Sequence, residues 1–141
     1  MIYYSQLDPR WANLKYDVVN TFKSYGCFVV ALSMMLDKLP TETAKILKDN
    51  GLFTNGYINN IAKAAEVLGL EYNGKSQTKP SYDTIAWTNY YDNASTNTIE
   101  KHFFIVRVYN SLLDPLGKGI YYPIKEYYLF RGGNMSWYSI G

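Results

Sequence analysis

The chain has 141 residues, 48% of them apolar and 18% charged, which is the balance of a folded domain with a core of its own. The formal net charge of +2 comes from 14 basic and 12 acidic residues with no basic run, so nothing in it calls for a nucleic-acid partner. A single cysteine excludes an intrachain disulfide, and with a single histidine it also excludes an ordinary zinc cluster.

The opening MIYYSQLDPRW has no basic start followed by a long apolar run. The expectation is synthesis in the cytoplasm without a signal peptide, with action elsewhere only after release or transport. No segment approaches the ~20 apolar residues of a membrane span, so no membrane insertion is expected. The 15 tyrosines accompany many Asn and Lys residues and read as compositional bias rather than as a glycan-facing surface.

Residues 1–25 carry little regular pattern, apart from a turn at Asp8-Pro9-Arg10. Cys27 to Lys38 (CFVVALSMMLDK) is apolar on nearly every side, which predicts a buried helix. Leu39-Pro40 ends it. A second helix is expected from Thr41, as N-cap, to Gly51. A third is expected from Tyr57 to Leu68, because Ile58, Ile61, Ala62, Ala65 and Leu68 recur at helical spacing, with Gly69 as its stop.

Strand signals follow at 70–72 and 84–88, with a polar loop at 92–98 (DNASTNT). The segment from His102 to Tyr109 (HFFIVRVY) is the strongest, and a turn at Asn110-Ser111 returns the chain through 112–114. Further strands are expected at 119–124 and 126–130, broken by Arg131-Gly132-Gly133. Helices fill the first half and strands the second. The expected fold is α+β, a single domain over 1–141 with N-terminal helices packed on a C-terminal antiparallel sheet.

Chemistry centres on Cys27, which follows Gly26 and opens a buried helix. Unpaired N–H groups and the positive end of the helix dipole favour thiolate there. The bland alternative is a small buried hydrophobe. His102 is the only histidine, so any Cys–His chemistry must use it; the alternative is a strand-end surface residue. Asp114, after a strand, turn and return, could orient the imidazole, although Asp114-Pro115-Leu116-Gly117 is also a plain turn sequence. Gln6 carries an amide suited to an oxyanion, against the commoner role of solvated surface.

The succession SQLDPRW, SYGCFVVALSMML and HFFIVRVYNSLLDPLGKG resembles papain-like peptidases related to the leader-cleaving domains of bacteriocin exporters. It is most similar to their stand-alone relatives in bacteria and phages. TETAKILKDNG and YINNIAKAAEVLGLEY resemble the family's middle helices and following strand. The resemblance implies a papain-like fold, with Cys27 as nucleophile, His102 as base, Asp114 as orienting residue and Gln6 as oxyanion donor. It implies cysteine peptidase or amidase activity without a cofactor. The substrate implied is a peptide or the peptide part of bacterial cell wall, with association to a virion or phage tail. Phe28 stands where the family often has Gly, which narrows the cleft, and the stretch from Trp87 to His102 is irregular. Two alternatives stand beside hydrolysis. One is a catalytically retired module that binds a protein or glycan, and the other is an acyl transferase.

Overall fold

A computed structural model gives the fold and describes residues 1–91, 99–109, 111–117 and 123–132. Helices lie N-terminal and an antiparallel sheet C-terminal, as the segregation of signals in the sequence leads one to expect. The N-terminal segment is better anchored than its pattern predicts. Trp11 is buried edge-on to Tyr4, and its indole N–H donates to the Ser5 carbonyl at 2.8 Å. A short helix, α1 (Phe22–Tyr25), follows it, capped by Thr21, whose hydroxyl accepts from the Ser24 N–H.

Helix α2 (Cys27–Leu36) buries eight of its ten residues, which accounts for its lack of a polar face. It stops at Asp37, which takes a left-handed conformation at φ 52°. Helix α3 (Pro40–Asp49) begins one residue before the expected cap. Leu39 is the N-cap and Pro40 the first helical residue, because proline's fixed φ suits that position and its missing N–H would have had no partner there.

The third expected helix also starts late. Phe53–Thr54 (β1) and Tyr57–Ile58 (β2) form a two-stranded hairpin around Asn55-Gly56, both at positive φ. Helix α4 (Ile61–Leu68) then starts from Asn60, whose side chain accepts from the Lys63 N–H, and ends at Gly69 with φ 74°.

The main sheet contains β3 (Leu70–Ser76), β4 (Thr84–Tyr91), β5 (Ile99–Val106), β6 (Leu112–Leu113) and β7 (Glu126–Gly132), in the spatial order β3-β7-β4-β5-β6, with every neighbouring pair antiparallel. Strand β5 starts three residues before the expected position, so His102 lies within it rather than at its head. Strand β7 runs through Arg131 and Gly132, where a break was expected. The expected loop at 92–98 lies outside the described residues, as does most of the expected strand at 119–124; Pro123 and Ile124 lie in no strand.

One face of the sheet, with Ile85, Phe103, Ile105, Tyr128 and Phe130, joins the helices in the main core, and α2 packs on β5. The other face carries a smaller cluster of Ala86, Phe104 and Val106, with Leu112, Ile124 and Tyr127 against it. Among the described residues, no helix is long and apolar enough to cross a membrane.

Candidate active site

Cys27 is the first residue of α2 because α1 and α2 do not merge. Gly26 intervenes, with φ −81° and ψ 3°, and the chain turns so tightly that a Cβ there would lie 2.6 Å from the Phe22 carbonyl oxygen. The consequence is chemical. Gly26 N–H bonds Phe22 O, and the first bond into α2 runs from Val30 N–H to Gly26 O. No side chain caps the start of α2, where the N–H groups of Cys27, Phe28 and Val29 lie. These are the donors an oxyanion on the Cys27 substrate would meet.

His102 projects from β5, opposite Thr88 of β4. Among the described residues, strand β6 pairs only with Ile105 and Val106 of β5, beyond His102. The same register explains Asp114. Leu113 lies opposite Ile105, so the next residue comes level with Phe104 and shares the face of Phe104 and His102. The carboxylate reaches back, and His102 Nε2 donates to Asp114 Oδ1 at 2.6 Å. Asp114 Oδ1 also accepts from the Leu116 N–H at 2.9 Å. The hairpin that delivers it is pinned near its tip. Arg107 N–H bonds Ser111 O at 2.9 Å, and Asp83 accepts from the Val108 N–H at 2.7 Å.

The two halves meet at the imidazole, whose protonation Cys27 also favours from the start of α2. The thiol lies 4.0 Å from the Lys101 carbonyl oxygen. Cys27, His102 and Asp114 are 8%, 4% and 4% exposed, so the relay is nearly closed to water. Burial lowers the His102 pKa, but the hydrogen bonds to Asp114 and Cys27 and the charges of both raise it further, to about 9. At neutral pH the folded protein therefore holds an imidazolium beside the sulfur.

Gln6 is not solvated surface; it is buried. Its Nε2 donates to the carbonyls of Phe22 at 3.2 Å and Lys23 at 3.0 Å. Lys23 O is the acceptor that an unbroken helix would give to the Cys27 N–H. Gln6 bonds it, which commits the Gln6 amide to the protein. The expected role of Gln6 as oxyanion donor therefore requires it to release a carbonyl.

Cys27 opens into a pocket of about 440 Å³, including its open mouth, walled by Tyr25, Phe28, Tyr57, Ile58 and Phe103. Phe28 stacks on Phe103, with ring centroids 4.2 Å apart and planes 17° apart, so it forms the pocket wall beside the thiol. The sequence signal for Tyr57 was its place in the Asn55-Gly56 hairpin. Thr88 was missed altogether. It lies opposite His102 in the β4–β5 register, and its buried hydroxyl has no partner among the described residues. Among the described residues, no three of His, Cys, Asp and Glu are grouped to hold a metal ion. No family model matches the chain, and neither a curated protein nor a solved structure does.

Proposed function

We propose that this chain is a cysteine hydrolase of papain-like type that cleaves a peptide or amide bond. The observation that carries this is the placement of the only cysteine, its sulfur 4.0 Å from the Lys101 carbonyl, next to the only histidine, whose ring is bonded to the buried Asp114. A histidine kept for packing needs neither a thiol nearby nor a buried carboxylate bonded to its ring.

Sulfur of Cys27 attacks the acyl carbon, and the carbonyl oxygen takes up the displaced electron pair. The N–H groups at the start of α2 stabilise that oxyanion, joined by the Gln6 amide once it leaves the Lys23 carbonyl. As the tetrahedral species collapses, the C–N bond breaks and the imidazolium gives its proton to the departing amine. Neutral His102 then takes a proton from water, whose oxygen attacks the thioester carbon. The C–S bond breaks, the carboxylic product leaves, and Cys27 regains its electron pair beside an imidazolium. Asp114 holds the ring throughout. The resemblance in sequence extends the proposal to bacterial cell-wall peptide as substrate, in a phage or bacterial lytic setting.

The test is incubation with purified cell walls and with a peptide library, followed by mass spectrometry. Product pairs whose masses sum to substrate plus one water are expected, and Cys27→Ala should give none. Failure of iodoacetamide to label Cys27, together with no product from any substrate, would end this reading.

A further inference from the structure

The turn that carries Asp114 is closed by a short backbone bond. Gly117 N–H returns to Asp114 O at 2.8 Å, and the strand before the turn is only two residues long. Its outer side is held instead by a segment more than a hundred positions away. Tyr3 Oη donates to the Asp114 carbonyl at 2.5 Å. Ser5 Oγ donates to the Pro115 carbonyl at 3.1 Å, and the Gln6 N–H donates to the same oxygen at 2.8 Å. Gln6 then grips α1 through its side chain, and Trp11 holds the Ser5 carbonyl from behind. Gly117 leaves room for this strap, since a Cβ there would lie 3.1 Å from Tyr3 Oη.

We propose that Tyr3 and Ser5 are positioning residues that fix the Asp114 turn, and through it the orientation and protonation of His102. Neither touches the sulfur or the imidazole. Each fixes a backbone carbonyl of the turn, and a carboxylate 2.6 Å from a ring nitrogen loses much of its hold if the turn drifts by a few tenths of an ångström. Among the described residues, the titratable groups that bear on His102 are Asp114 from its turn and Cys27 from α2, and Tyr3 and Asp114 bear on each other across the strap.

The lone histidine makes the test direct, because its ring protons give one assignable NMR titration that needs no substrate. Tyr3→Phe keeps the ring and removes one hydroxyl. The His102 midpoint should fall by ~0.5 pH unit or more, and further in Tyr3→Phe/Ser5→Ala. Asn60→Ala, which removes the α4 cap far from the site, should lower the melting temperature and leave the midpoint in place. Should Tyr3→Phe not fold, Ser5→Ala carries the same test alone. A midpoint unmoved in the folded variants would overturn the proposal. It rests on the hydrolase reading only for its kinetic arm, where kcat should fall with little change in KM. A shifted midpoint in a protein that hydrolyses nothing would support the strap and discard the hydrolase.

Discussion

The turn that carries Cys27 and the turn that carries Asp114 hold their backbones by different means. At Phe22–Cys27 the chain is closed on itself. Gly26 packs against the Phe22 backbone at a distance no side chain would permit, and Thr21 caps the helix before it. At Asp114–Gly117 the chain borrows its restraint from Tyr3, Ser5 and Gln6. The first turn is encoded within about seven residues and set by steric exclusion. The second is encoded across almost the whole chain and set by three hydrogen bonds to two carbonyls. A nucleophile needs one fixed position, and a local turn supplies it. An orienting carboxylate must match a group on another strand, and its placement is a tertiary matter.

The largest effect separates chemistry from both turns. Cys27→Ala removes the nucleophile and alters neither backbone, so turnover should fall by about 10⁴–10⁶-fold with an unchanged circular dichroism spectrum. Measurable hydrolysis by purified Cys27→Ala would assign the reaction to some other group.

On the Asp114 side, His102→Ala should cost about 10²–10⁴-fold in kcat, the range for loss of a general acid–base. Asp114→Ala should cost less, about 10–10²-fold, because the imidazole keeps its Cys27 contact and water can reach the vacated nitrogen. Equal turnover in wild type and Asp114→Ala would reduce Asp114 to a turn residue. On the Cys27 side, Gly26→Ala should act through packing. Its methyl group would meet Phe22 backbone atoms at 2.6–3.0 Å, and the resulting strain should cost about 1–3 kcal/mol in a urea melt. A wild-type melt would show that the turn can open without penalty.

What was legible in the sequence follows the same division. The start of α2 at Cys27, its burial and the αL stop at Gly69 are local, and residue pattern alone reveals them. The Asn55-Gly56 hairpin was equally local and carries the best short-range hairpin signal there is, but the apolar spacing of Ile58 and Ile61 masked it. The position of His102 within β5 depended on pairing with β4, which extends the strand back to Ile99. No propensity in IEK announces that extension. Tyr3 and Ser5 gave no signal at all, since a tyrosine and a serine near the start of a chain look like surface until the Asp114 turn is folded against them. Gln6 was singled out, but nothing local shows that its amide would cap the carbonyls of Phe22 and Lys23.

The smallest expected effect is thermodynamic and reads the contact between the two turns directly. The folded His102 has a pKa of about 9, against an ordinary value of 6.5 that the unfolded chain should show. Below pH 6.5 both states carry the proton, and the full stabilisation from the Asp114 and Cys27 contacts is present. Between pH 6.5 and 9 the folded state keeps on His102 a proton that this residue loses in the unfolded state, so the contribution of His102 to stability falls as pH rises. Above pH 9 that contribution is gone. The loss across this window should be about 1–3 kcal/mol, read as a decrease in urea midpoint at constant slope. His102→Gln should remove the pH dependence, because it abolishes the titration while keeping a side chain that can bond Asp114. Asp114→Asn should flatten it in part, because the Cys27 contact would remain to hold the proton. Cys27→Ala should flatten it in part for the converse reason. If the wild-type midpoint stays level from pH 6.5 to 9, the imidazole does not bind its proton more tightly in the folded protein. The coupling between the two turns would then be too weak to keep an acid ready for a leaving amine.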